Sequence, residues 1–336
     1  MTHAILKAML PPVFSVFRGV LIYVKQWAKA RGVYGNAYGF LGGISWTLLV
    51  AKICRDCPGA SPTSVLQQFF ISWSKYNWSL PVELEPRAIK GGPFRYTLDM
   101  EVWDVRKSPA HMAILTPTYP SMNTSHNVSH SGFHVLKKEL TRAAGLCQEI
   151  VGGSSATTFG SDDQEEMSKW WPLVSSDIAD EFHQDYPCLL QLDVLAAPSA
   201  QQNRWLELIH ASLRHIVRHV ENGVDAHVEM HLLPRNLLKQ LPSVGASGGA
   251  AHAGGKLGQG AGRRGGRGKK QNPKLLQRQL LGQFWIGLRV APESECASAV
   301  SVATAACSAF AEQVKTRARQ GCWYSADMEV GFCVNS

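Results

Sequence analysis

Lys25–Trp46 reads KQWAKARGVYGNAYGFLGGISW, and the spacing of its cations, rings and glycines decides how the rest of the chain is placed. Upstream, Phe17, Leu21, Val24 and Ala28 recur at i, i+4, i+7 and i+11, the buried stripe of one helix. Arg18, Lys25 and Lys29 fall together on another face, so the helix points two ammonium groups at one spot. Gly32 allows a sharp turn, and Tyr34 and Asn36 follow it. Gly39, Gly42 and Gly43 then lead into a second helix with Trp46, Leu49, Val50 and Ile53 inward. Open amides at a helix start favour an anion or a polar ligand edge. Compact cations suit a polyphosphate, a flat ring suits a base, and glycine lets backbone come close. On spacing alone, two such lysines read more readily as a solvated helix face, and Tyr34 and Trp46 as core aromatics.

Further motifs change that balance. The run Tyr34, Asn36, Gly39, Phe40, Leu41, Gly42, Gly43, Trp46, Leu49, Val50, Ala51 resembles Tyr-x-Asn-x-x-Gly-Phe-Leu-Gly-Gly-x-x-Trp-x-x-Leu-Val-Ala, which the eukaryotic nuclear poly(A) polymerase family carries. QQFFISWSKYNWSLPV, ending at Pro81 and Val82, is similar to that family's Phe-Phe-x-x-x-Ser-Lys-x-x-Trp-x-x-Pro-Val. Trp103, Asp104 and Arg106 resemble its Trp-Asp-Pro-Arg, with Val105 in place of proline. ILTPTYPSMNTSHNVS, from Ile114 to Ser129, resembles its Thr-Pro-x-Tyr-Pro-x-x-Asn-x-x-x-Asn-Val-Ser.

The resemblance implies a role for each matching position. Lys25 would meet the triphosphate of ATP and Tyr34 would lie against the adenine. Lys29 and Asn36 would approach the nucleotide, and Gly43 and Ile44 would line the base site. It implies a polynucleotide adenylyltransferase of the nucleus, which adds AMP from ATP to the 3′ end of mRNA during pre-mRNA 3′-end processing. ATP is then the substrate, and RNA and pre-mRNA 3′-processing factors are the partners. Phosphoryl transfer of this kind uses two metal ions, Mg²⁺ or Mn²⁺. In the family, aspartates of an N-terminal nucleotidyltransferase domain hold them, in the pattern Gly-Ser, a spacer, Asp-x-Asp, then a distant Asp. That pattern is not found in this sequence. No residue here is therefore assigned as catalytic or as a metal ligand, and the chain is expected to be inactive alone. The alternative reading is a non-catalytic remnant that binds RNA or a 3′-processing factor. A third is another terminal nucleotidyltransferase, such as a uridylyltransferase.

Periodicity sets the expected fold class, α+β. Residues 1–155 read as a mostly helical unit, the counterpart of the family's central domain, with a helix from His134 to Ile150. Residues 156–186 read as a linker; within it Gly160, Ser161, Asp162 and Asp163 lack the Asp-x-Asp spacing of a metal site. Residues 187–336 follow the order βαββαβ, expected to form a ferredoxin-like sheet with two helices on one face. The strands are placed at Cys188–Ala197, Ala226–Leu232, Phe284–Val290 and Trp323–Val334, and the helices at Gln201–Val220 and Cys296–Arg317. The family carries a domain similar to an RNA recognition motif in this region.

The chain has 336 residues, 45% apolar, and a formal charge of +8. Lys256, Arg263, Arg264, Arg267, Lys269, Lys270, Lys274 and Arg278 fall in a stretch without Asp or Glu, and without these eight charges the chain is close to neutral. Most of them sit in the segment 243–271, which holds eleven glycines. Such a segment cannot bury a core and is expected to be a disordered insertion. Arg263, Arg264, Arg267, Lys269 and Lys270 are its candidate RNA contacts, or a nuclear import signal.

Cys54 and Cys57 form a C-x-x-C with no second pair at metal spacing, so zinc is not expected. The eight cysteines are scattered, as in a reduced intracellular protein, where the sequons at Asn123 and Asn127 meet no glycosylation enzyme. His210, His215 and His219 read as surface residues of one helix. Lys7, Pro11, Pro12 and Arg18 break the apolar start into pieces too short to span a bilayer, so no membrane partner is expected.

Overall fold

The computed structural model describes residues 11–84, 110–118, 121–153, 170–175, 178–196, 199–224, 227–234, 279–291, 296–326 and 328–335. Trp103, Asp104, Arg106, Tyr119, Pro120, the Gly160–Asp163 run and the whole 243–271 segment with Arg263, Arg264, Arg267, Lys269 and Lys270 lie outside the described residues.

The first half is helical. α1 (Pro11–Ala30), α2 (Gly43–Asp56), α3 (Pro62–Lys75) and α4 (His130–Gly153) enclose one core. On α1 the buried positions are Phe17, Val20, Val24, Trp27 and Ala28, while Leu21 is only partly buried at the stripe's edge. Trp27 meets Trp46 edge-on at 5.8 Å and Phe70 at 4.8 Å, so Trp46 is a core residue. Such aromatic pairs add about 0.5–1.5 kcal/mol each beyond the burial of their area. α3 starts at a capped turn, with the Ser64 amide donating to Ser61 Oγ at 3.2 Å and Pro62 just inside. α4 begins earlier than the expected His134. Ser129 caps it, its hydroxyl accepting from the Gly132 amide at 3.1 Å, which makes His130 helical.

Two short helices, α5 (Pro172–Ser175) and α6 (Ile178–Asp185), occupy part of the segment expected as a linker. They are held there by burial. Trp170 and Leu173 join the helical core, and Ile178 and Phe182 pack under the sheet.

The second half is a four-stranded antiparallel sheet of order β2-β3-β1-β4, from β1 (Cys188–Ala196), β2 (His227–Pro234), β3 (Gln279–Ala291) and β4 (Glu329–Asn335). Alternate residues face opposite ways. Leu190, Leu192, Val194, Met230, Leu232, Ile286 and Leu288 turn to one core, which helices from the crossovers complete. Leu189, Leu233 and Trp285 turn to the other face and meet Phe182 of α6 and Tyr186 just after it. The expected single helix Gln201–Val220 is two, α7 (Gln202–Ser212) and α8 (Arg214–Gly223). The break falls at Leu213, where the Ile216 amide donates to the Leu213 carbonyl in a tight i+3 bond. α9 (Cys296–Gln320) runs longer than expected, and the last strand starts at Glu329 rather than Trp323. The mixed helix-and-sheet class is as expected.

The halves meet through a buried charge network and one histidine. Arg31 donates from Nε and Nη2 to the Glu139 carboxylate at 2.8 and 3.0 Å, and from Nη2 to Glu181 of α6. Arg142 reaches the same Glu139 at 3.1 Å. Burial alone would raise the Glu139 pKa, but its hydrogen bonds and charge pairing with Arg31 and Arg142 hold it below the usual carboxylate value. Beside them His231 of β2 lies 3.3 Å from the Gly32 carbonyl oxygen, among the rings of Phe40, Phe182 and Tyr186.

Candidate functional site

The Lys25–Trp46 stretch folds as a helix, a tight corner, a loop and a helix start. α1 stops at Gly32, whose φ of 66° only glycine adopts without strain. Its amide donates to Lys29 O and the Val33 amide to Ala28 O, the paired bonds of a Schellman end. The chain then curls on itself: the Gly35 amide donates to Leu41 O at 2.9 Å, and Tyr34 bridges Leu41. A 3-10 turn at Asn36–Tyr38 fills the loop, ending on Gly39 at φ 82°. α2 starts at Gly43.

This loop is clamped from several sides. A methyl group on Gly132 of α4 would come within 2.4 Å of the Gly39 carbonyl oxygen, so glycine is what lets α4 lie against it. Tyr38 Oη sits 3.2 Å from His210 Nδ1 of α7 and its ring packs near Phe284. His210 is thus half-buried rather than on the surface, and burial lowers its pKa. On the corner itself, a methyl group on Gly32 would overlap Leu233 of β2. The sheet unit therefore braces the loop from below.

The loop gathers most of the residues singled out from the sequence. A methyl group on Gly43 would stand 3.0 Å from the Tyr34 hydroxyl and 3.8 Å from the Lys25 ammonium, so these three converge. The Lys29 ammonium lies over the Tyr34 ring, 5.3 Å from its centroid. Asn36 packs on the neighbouring Gly42, within 2.9 Å of where a Cβ would be. Ile44, one residue into α2, is 46% exposed and so offers apolar surface beside the Gly43 contact. Partial burial, and then the nearby Lys29 charge, lower the Lys25 pKa. Two cations held together this way gain by meeting an anion.

The residues described here do not make a metal site. Among them no group of three or more His, Cys, Asp or Glu side chains stands together in a way that could hold an ion. The clustered ammonium groups would repel a cation.

Residues 16–159 match the profile described as the poly(A) polymerase central domain. The chain is 35% identical over 215 residues to the poly(A) polymerase PAPalpha of Candida albicans, covering 62% of this chain and 34% of that protein. It is 34% identical over 212 residues to nuclear poly(A) polymerase 1 of Arabidopsis thaliana, covering 62% of this chain and 26% of that protein. The Dictyostelium discoideum poly(A) polymerase is 32% identical over 217 residues, 64% of this chain and 24% of its own length. Residues 16–159 are therefore those of a poly(A) polymerase central domain. The chain spans about a quarter to a third of the length of the curated relatives it matches.

Within this poly(A) polymerase relative, three features escaped the sequence reading. Gly42 carries Asn36, but a Gly-Gly pair says only that a turn is near. Tyr38 locks the loop to the sheet unit, yet its partner His210 lies 172 residues away. Arg31 stands among basic neighbours in sequence, and nothing local shows that it is the buried one. Both sequon asparagines, Asn123 and Asn127, are buried, and the Asn123 side chain accepts from the Ile114 and Ser125 amides.

Proposed function

We propose that the Lys25, Lys29, Tyr34, Asn36, Gly43 and Ile44 cluster is the adenine-nucleotide wall of a polyadenylating nucleotidyltransferase that extends RNA 3′ ends in the nucleus. The observation that carries this reading is the convergence of the Lys25 ammonium, the Tyr34 hydroxyl and the bare Gly43 backbone at the start of α2. In it, Lys25 and Lys29 neutralise the triphosphate, the Tyr34 ring gives the base a face, and the side chain of Asn36 supplies donors and an acceptor for its polar edge. The metal chemistry of AMP transfer belongs, in this reading, to carboxylates other than those described here. The strand order β2-β3-β1-β4 supports a ferredoxin-like, RNA-recognition-motif-like second unit, and the names of the relatives support ATP and RNA as substrates.

The test combines the chain with an N-terminal nucleotidyltransferase domain and follows extension of an RNA primer with ATP and Mg²⁺. Extension lost in Lys25→Met and Tyr34→Ala supports the reading; extension indifferent to both sinks it. A finer prediction concerns Gly43→Ala. Its Cβ would press on the Tyr34 hydroxyl. It is expected to weaken ATP binding about tenfold, the scale of one misplaced methyl group in a fitted pocket. Alanine is the better helix former by about 1 kcal/mol, so urea unfolding should show stability unchanged or slightly raised.

A further inference from the structure

Away from the loop at Lys25, helix α8 borders two cavities. One, of about 520 Å³, lies between α8 and α9 and is lined by His215, Arg218, His219 and Asn222. The other, of about 310 Å³, lies between α8 and the segment leading into α4, lined by His111, His126 and His130. Arg218 and Asn222 line both, so the two cavities adjoin at these side chains and make a two-part groove along α8.

Its chemistry is specific. After burial, the charges of Arg214, Arg317 and Arg218 are what lower the His215 pKa, so the middle of the groove is cationic ground. Glu221, the carboxylate among the lining residues, is engaged already, accepting from the Ser131 amide at 2.7 Å. Arg218 donates from Nη2 to the His126 carbonyl oxygen at 3.3 Å, which fixes its fork at the junction and leaves further N–H groups for a ligand. At the other end, flat rings gather. His111 lies 5.4 Å from His130 and stacks with Phe133 at 6.2 Å. Cations followed by ring faces suit a strand that alternates phosphate and base. An acidic peptide would use the cations and leave the rings idle.

We propose that this groove holds single-stranded RNA, with Arg218, His215 and His219 toward phosphates and the rings of His111, His126 and His130 toward bases. The inference takes from the functional reading only that RNA is the polymer this protein meets. Its readout is RNA binding without nucleotide, so failure of the Lys25 cluster leaves it standing.

The experiment measures binding of a short fluorescein-labelled oligoadenylate to the full chain by anisotropy. It compares the parent with two double variants, His215→Ala/His219→Ala, which leaves the Arg218 bond intact, and His111→Ala/His126→Ala. A 4-thiouridine-bearing oligonucleotide maps the contact by photocrosslinking. Either double variant is expected to raise Kd about tenfold, the scale of losing one base or phosphate contact, with an unchanged thermal unfolding curve and parent crosslinks on α8 and on residues 110–130. Unchanged affinity in both variants, or crosslinks confined to 243–271, would overturn the proposal. Polyglutamate displacing the labelled RNA as well as unlabelled oligoadenylate does would overturn it too, and would mark the groove as a surface for an acidic protein.

Discussion

Arg31→Met is expected to lower the unfolding free energy by about 3–5 kcal/mol, the usual cost of leaving a buried charge without its partner. Glu139 is 5% exposed, and its carboxylate takes two bonds from Arg31. The remaining partner, Arg142, reaches one oxygen from a less buried position. Glu181 of α6 would lose its Arg31 contact as well, so the damage should spread to the seam between helices and sheet. Urea titration of both proteins gives the size of the loss from the midpoints. Arg31→Met combined with Glu139→Leu should recover most of it, because an apolar pair replaces an ion pair at little net cost. A single variant within about 0.5 kcal/mol of the parent, the range of an ordinary surface change, would show that the network does not hold the halves together.

Acid should loosen the same seam through His231. Burial holds its imidazole at a pKa of about 4, below the ordinary 6.5, even though Glu139 and the Gly32 carbonyl favour the charged form. The folded chain therefore binds fewer protons than the unfolded chain between those two values, and stability falls as pH falls through that window. Above about pH 6.5 the contribution is fully present; by about pH 4 it is gone, a loss on the order of 3 kcal/mol. His231→Gln keeps an N–H for Gly32 and cannot titrate. Its unfolding free energy between about pH 4.5 and 7 should vary less than the parent's by most of that amount. The comparison is needed because His111, His210 and His215 also have lowered pKa values and slope the same way. Glu139 bears only on the lower edge of the window, since a carboxylate whose folded pKa is lowered begins to cost stability as pH falls through its unfolded value of about 4.3. Identical pH slopes would contradict the buried, neutral assignment.

What could be read in advance follows a physical pattern. The helices of the first half announce themselves because burial repeats every three or four residues: Trp46, Leu49, Val50 and Ile53 are all buried as spaced. The strands announce themselves by alternation, and Met230, Leu232, Ile286 and Leu288 face one core as a period of two requires. The loop from Gly32 to Gly43 was legible because glycine is needed at Gly32 and Gly39 for positive φ and at Gly43 for room. Long-range contacts leave no such trace. Arg31 with Glu139, Tyr38 with His210 and Gly32 under Leu233 join residues whose own neighbourhoods look like solvent-facing turns or helix flanks. Helices α5 and α6 were missed because a polar, small-residue segment precedes them and each buries only a few side chains.

Calorimetric titration of the chain with ATP, alongside Lys25→Met and Tyr34→Ala, tests the central claim most directly. The account predicts that each substitution weakens ATP binding by about tenfold or more, the loss expected for one charged hydrogen bond or one aromatic face. Equal ATP affinity in all three proteins would contradict it.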